Sequence, residues 1–211
     1  MQSSHDFAVE YLQNTLPLFR EYESENFVKA MDLIEDAYRR DATVYICGNG
    51  GSASTAGHMV NDLSKGASVE GKRRIRCHGL SDSIALVTTY GNDCGYETIF
   101  VEQLKNLWRP GDLLIAISAS GNSPNVVRAA EYAKRNGSVI GLVGFSGGKL
   151  KENSTVSIHF KSYNYGSVED CQLMFSHLSS QYMYKFIEKY GETLNVSKPF
   201  TSPSIPNATI N

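Results

Sequence analysis

Five short apolar runs, most of them separated by helix-like segments, set the limits on what this chain can fold into. They are "TVYIC" (43–47), "IRCHGL" (75–80), "DLLIAIS" (112–118), "SVIGLVG" (138–144) and "STVSIHF" (154–160), with helical patterns at 53–65, 95–107, 123–136 and 167–190. Cores such as "LLIAI" and "VIGLV" are apolar at consecutive positions, so both faces of those strands must be covered. Buried strands alternating with helices predict an α/β fold: a five-stranded, mainly parallel sheet flanked by helices. Two helical patterns come first. One places Phe7, Tyr11, Leu12 and Leu16 on a helical face, with Pro17 as a kink or end. The other starts at Ser24 as an N-cap, repeats Phe27, Ala30, Met31, Ile34 and Tyr38, and ends in two arginines. At 211 residues the chain suits one domain. We expect residues 1–40 to form an N-terminal helical pair, one structural unit with an α/β domain over 41–192. The Ser/Pro/Asn-rich segment 193–211 is expected to be a loosely ordered tail.

A formal charge of −2 gives no electrostatic case for nucleic acid or an anionic membrane, so any phosphate must be held by a local site. No apolar run approaches the ~18 residues of a membrane span, and the first residues carry no basic n-region. The four cysteines show no CxxC spacing, which reads as reduced thiols in a cytoplasmic protein, with Cys47 buried at a strand end.

The chemistry concentrates where two of the strands end. "GNGGSA" follows the first one and matches G-x-G-x-x-A, the pattern of a dinucleotide-binding turn. Its glycines allow close backbone approach, and the next helix offers its N-terminus to an anion. The turn comes after 40 residues of helix, however, and carries Asn and Ser rather than apolar side chains. No Gly-Lys-Ser/Thr follows, so it is not a P-loop. "SASGNSP" repeats the same chemistry after the third run: Ser118, Ser120 and Ser123 supply hydroxyls, and Pro124 opens a helix. Ser123 read alone is an N-cap. Two such loops at strand C-termini, where open α/β sheets bind ligands, read as a phosphate cradle built without Lys or Arg.

"GNGGSAS…GHMVNDL" together with "AISASGNSPNVV" resembles the SIS (sugar isomerase) domain, and the chain is most similar within it to the phosphoheptose isomerase family. The likeness covers roughly residues 5–192. It implies a three-layer SIS domain and interconversion of sedoheptulose 7-phosphate with a D-glycero-D-manno-heptose 7-phosphate. It also implies substrate contacts from Asn49, Gly50 and Gly51 with Ser52 beside them, from Asn92 and Asp93 in "TTYGNDCGYE", and from Ser118, Ala119, Ser120 and Ser123 around the phosphate. Ala119 stands where the family has Thr, which removes a hydroxyl and keeps a backbone N–H.

The resemblance further implies a catalytic cluster. His58 and Asp62 occupy the family's His and Glu positions, one turn apart on one helical face. Glu169 and His177 occupy its Gln and His positions on the last helix, for which Ser167 reads as N-cap. Eight residues of helix rise ~12 Å, so Glu169 would have to reach down to join His177. Isomerisation needs a base to carry a proton between the carbons flanking the carbonyl through an enediol. Asp62, Glu169 and His177 are the candidates for that work. With His58 they make two imidazoles and two carboxylates, a set suited to zinc. His78 and His159 lie in strand-like runs and read as structural. Family homotetramers with sites between subunits match the large apolar faces of the N-terminal helices. An isomerase of another sugar phosphate, or a non-catalytic SIS protein that binds a sugar phosphate for regulation, are the alternatives.

Overall fold

The structure is a computed structural model that describes residues 2–20 and 24–194. In chain order its elements are α1 (Ser4–Arg20), α2 (Ser24–Arg39), β1 (Thr43–Cys47), α3 (Gly51–Asn61), β2 (Arg76–Gly79), α4 (Ile84–Asp93) and α5 (Ile99–Leu107). Then follow β3 (Leu113–Ser118), α6 (Pro124–Asn136), β4 (Ser138–Val143), α7 (Gly148–Glu152), β5 (Val156–His159) and α8 (Tyr165–Tyr190). The strands form one sheet in the order β2-β1-β3-β4-β5, every pair parallel. From β1 the chain moves to one side to make β2, then crosses to the other side of β1 to make β3. The reversal opens a crevice between the C-terminal ends of β1 and β3, the place where such sheets bind ligands.

Alternate residues of each strand feed two cores. Val44, Ile46, Leu113, Ile115, Ile117, Ile140, Leu142 and Ile158 pack under α2, α3 and α8, joined by Ala30, Met31, Ile34, Met59, Phe175 and Met183. Tyr45, Cys47, Leu114, Ala116, Val139 and Val143 pack on the opposite face with Phe100 and Leu104 of α5, Ala129 and Ala130 of α6, and Leu150 of α7. All six residues of β3 are buried, as their unbroken apolar run requires. Each buried branched aliphatic contributes roughly 1.5–3 kcal/mol of transfer free energy.

Local details depart from the sequence pattern. Pro17 does not end α1, which runs on to Arg20; a proline this near the C-terminus removes one intrahelical bond and little else. The N-cap of α8 is Asn164 rather than Ser167: Asn164 Oδ1 accepts the Ser167 N–H at 3.3 Å. Ser167 lies inside the first turn, buried, with its hydroxyl 2.7 Å from Thr15 Oγ1 of α1. The helical pattern at 95–107 divides into a 3₁₀ turn (Tyr96–Thr98) and α5, and α3 continues through a π-turn (Asp62–Gly66). Two helices, α4 and α7, have no counterpart among the expected elements. At the far end Thr193 makes an antiparallel bridge with Lys72, and the Leu194 N–H donates to Gly71 at 2.9 Å. The rest of the expected tail, 195–211, lies outside the described residues. No helix among the described residues is long and apolar enough to cross a membrane.

Candidate active site

The crevice between β1 and β3 holds a cavity of about 300 Å³ lined by Asn49, Gly50, Gly51 and Ser52 from the first loop and Ser118, Ala119, Ser120 and Ser123 from the second, with Ile117, Tyr165 and Glu169. Two helices begin here with no side chain capping them. Gly50, at φ 52°, precedes α3, and Ser123 precedes α6. Each helix therefore leaves backbone N–H groups at its positive end facing the cavity. Ser123 occupies the N-cap position, yet its hydroxyl lies 3.2 Å from Ser118 Oγ instead of on the helix backbone. Ser120 Oγ accepts the Asn122 N–H at 3.2 Å, which leaves its own proton to donate. No Lys or Arg among the described residues lines this cavity. Hydroxyls and helix dipoles supply the anion site.

Gly121 makes the second loop buildable. Its φ is +67°, and a Cβ there would fall inside the backbone carbonyl of Gly147, so only glycine lets the loop lie against the turn before α7.

Of the remaining candidates, Glu169 reaches the cavity from the first turn of α8, with its carboxylate against Gly51. His58, Asp62 and His177 form a separate cluster. The two Nε2 atoms lie 3.0 Å apart, and Asp62 Oδ2 is 3.3 Å from His58 and 3.9 Å from His177. Ser176, fully buried, donates to that same Oδ2 at 2.9 Å and orients it. Asp62 also opens the π-turn, a distortion often found at functional sites. The ligand atoms of a tetrahedral zinc site lie about 3.3 Å from one another, so these three donors have the spacing to hold a metal ion.

The two clusters sit on one helix pair. Along α3 and α8, Gly51 faces Glu169, His58 faces His177, and Gly66 at the end of the π-turn faces Ser180. The helices thus run side by side in the same sense, and the seven and eight residues between levels separate the clusters by ~10–12 Å. Glu169 is accordingly not in the group that could share a metal with His58, Asp62 and His177. Asn92 and Asp93 end α4, exposed, with Asn92 Nδ2 donating to Asp93 Oδ1 at 2.7 Å, and neither lines the cavity. Cys47 and Cys171 are not nucleophiles, because burial pushes both thiols up to about 12.

Tyr165 and Ile117 line the cavity without any local motif to announce them. Also unannounced is the pairing of the half-buried Asn49 amide in the first loop with the buried Asn125 amide behind it.

Comparison with known proteins agrees with this geometry. Residues 9–144 match the SIS domain family model. A phosphoheptose isomerase from Mycobacterium tuberculosis is 36% identical over 153 residues, 72% of this chain and 78% of that protein. One from Trichlorobacter lovleyi is 34% identical over 176 residues, 82% of this chain and 89% of that protein. The solved structure of phosphoheptose isomerase from Neisseria gonorrhoeae superposes with a TM-score of 0.78 at 26% identity, covering 87% of this chain and all of the other. A chain with this sheet order, this pair of hydroxyl loops and these relatives belongs to the SIS domain family, among the phosphoheptose isomerases.

Proposed function

We propose that this protein is an aldose–ketose isomerase that converts sedoheptulose 7-phosphate to D-glycero-D-manno-heptose 7-phosphate. The observation that carries the reading is the cavity itself: two uncapped helix N-termini and a ring of serines, with one carboxylate, Glu169, facing the space a sugar would fill. The phosphate is held by Ser118, Ser120 and Ser123 and by the backbone N–H groups at the start of α6. Asn49, Gly50, Gly51 and Ser52 take the sugar hydroxyls, and Asn92 and Asp93, at the end of α4 and outside the lining of this cavity, are further candidates for holding them. Glu169, within reach of the cavity, shares with Asp62 the base role of moving a proton between the carbons flanking the carbonyl through an enediol, and His177 is the third candidate for proton transfer.

His58, Asp62 and His177 are the residues that would hold zinc. The cation would polarise the carbonyl oxygen when bound. Without it, Asp62 and His177 would be free to exchange protons with the substrate oxygens. The imidazoles of His58 and His177 are 42% and 48% exposed, and they lie a turn or more beyond the cavity of their own chain. A second copy can present its cavity there. We therefore read the assembly as a homotetramer with sites shared between subunits, in keeping with apolar Phe7, Leu12 and Leu16 exposed on α1.

The deciding experiment incubates the protein with a panel of five-, six- and seven-carbon sugar phosphates and follows aldose–ketose exchange by NMR. Exchange confined to the seven-carbon pair supports the proposal. Exchange of a shorter sugar alone replaces the substrate, and tight binding with no exchange would make the protein a sugar-phosphate-binding regulator. The shared site has its own test. Mixing Ser120→Ala chains with His177→Ala chains should restore part of the activity that each lacks, whereas sites confined to one chain restore none.

A further inference from the structure

The Asn49 side chain lines the cavity, and its polarity is set from behind. Asn125, buried to 1% exposure in the first turn of α6, uses its Oδ1 to accept the backbone N–H of Val126 at 3.0 Å. A backbone N–H cannot turn into an acceptor, so this contact fixes which end of the Asn125 amide is oxygen. The same Oδ1 accepts from Asn49 Nδ2 at 2.8 Å, and Asn125 Nδ2 donates back to Asn49 Oδ1 at 2.9 Å. Tyr96 Oη then donates to Asn49 Oδ1 at 3.1 Å. Both lone pairs of that oxygen are used. One N–H of Asn49 is used as well, and the other is its sole remaining hydrogen-bonding valence.

We propose that Asn125 and Tyr96 are positioning residues that make Asn49 a pure donor toward the cavity, so that it donates to a lone pair on a sugar oxygen. The inference rests on the isomerase reading for its ligand but not for its geometry. Asn125 acts through Asn49, and it ties the loop after β1 to the start of α6 across 76 residues of sequence. Breaking the pair is costly on the Asn125 side, because that amide is buried and would be left with an unmet donor away from water, while Asn49 faces the cavity. The pair therefore has two states, joined or lost, and the joined one presents N–H.

The test is a double-mutant cycle on the full-length protein with two ligand readouts and one ligand-free readout. Asn49→Ala, Asn125→Ala and the double variant are titrated calorimetrically with sedoheptulose 7-phosphate and, separately, with inorganic phosphate. Each single variant should weaken sugar-phosphate binding about tenfold, with the double variant no worse than either single. Affinity for inorganic phosphate should stay within twofold, because Asn49 addresses the sugar. Tyr96→Phe, at an exposed residue, should cost threefold or less, since Asn125 still sets the polarity. In side-chain amide NMR, one Asn49 Nδ2 proton should exchange slowly in the native protein and both quickly in Asn125→Ala. Additive losses in the cycle, or an Asn125→Ala variant with native affinity, would overturn the proposal. So would two fast-exchanging Asn49 protons in the native protein. Failure of the native protein to bind any sugar phosphate while the slow proton persists would instead strike the isomerase reading and leave the relay standing.

Discussion

Gly51 lies directly against the carboxylate of Glu169: a Cβ built on Gly51 would meet both oxygens, the farther at 2.6 Å. The glycine that starts α3 and the acid on α8 thus share one space, and the glycine sets how deep the carboxylate can sit. Gly51→Ala should push Glu169 out of the cavity. The cost to folding should be small, since the displaced atoms end a flexible side chain. We expect the melting temperature to stay within about 3 °C while kcat/KM falls tenfold or more, a loss of ~1.4 kcal/mol in transition-state stabilisation. Glu169→Gln keeps the shape, removes the charge and installs the residue that the family carries there, so it should lower turnover without abolishing it, the remainder running through Asp62 and His177, while substrate still binds. An active Gly51→Ala enzyme would mean that the carboxylate position does not matter to the chemistry.

The serine cradle predicts a different signature. Ser120→Ala and Ser123→Ala each delete a hydroxyl facing a charged acceptor, worth about 1.5–3 kcal/mol. KM and the inhibition constant of inorganic phosphate should rise together, tenfold or more, with thermal stability unchanged. Both hydroxyls contact only neighbouring loop groups in the free protein, so little folding energy is at stake. A variant that keeps native phosphate affinity removes that serine from the cradle.

How far the sequence announces this arrangement follows from how local each signal is. The sheet is legible because unbroken apolar runs such as Leu113–Ile117 can only be covered on both faces. The cradle is legible because Gly, Ser and Asn cluster within a few positions of a strand end. α4 is not: none of its residues is fully buried, only Val87 and Tyr90 pack against the core, too short a stripe to read as a helix, and its one strong local mark is Ser83 capping Leu86. Ser167 and Asn164 are both good caps three residues apart, and only the burial of Ser167 against Thr15 decides between them. His58 and Asp62 meet because one helical turn guarantees it. That Glu169 stays with the cavity while His177 joins them is set by the alignment of α3 on α8. The Asn49–Asn125 pair depends on the first loop meeting the start of α6 in space, and no window of sequence contains it.

The His58–Asp62–His177 cluster predicts a metal response that passes through Ser176. Its hydroxyl fixes Asp62 Oδ2, the atom shared with both imidazoles, from a fully buried position on α8. Ser176→Ala should lower zinc affinity 10–100-fold, measured by competition with a chromophoric chelator, with the fold intact. His58→Ala and His177→Ala should each lose stoichiometric zinc altogether. Native zinc affinity in Ser176→Ala would show that Asp62 needs no such support.

The cysteines predict how alkali attacks the fold. Cys47 sits at the end of β1 and Cys171 on α8, both buried, and burial lifts their thiols from 9.0 to about 12. Cys94 is exposed, so at pH 8 a thiol reagent should modify Cys94 quickly in the native chain and reach Cys47 and Cys171 only on unfolding. Unfolding returns these thiols to ordinary values. Below pH 9 both states hold the protons, and the thiols' contribution to stability is fully present. Between pH 9 and 12 the unfolded chain releases protons that the folded chain keeps, so stability falls as pH rises, by up to about 1.4 kcal/mol per pH unit for each thiol. Urea midpoints taken at pH 8, 9, 10 and 11 should drop more steeply in the native sequence than in a Cys47→Ala/Cys171→Ala variant, whose other titrating groups are the same. The variant starts less stable because its core has lost two sulfur atoms, so the slope against pH carries the test and the midpoint itself does not. Parallel slopes, or rapid labelling of Cys47 in the folded protein at pH 8, would show that these thiols are not sealed from water as the structure places them.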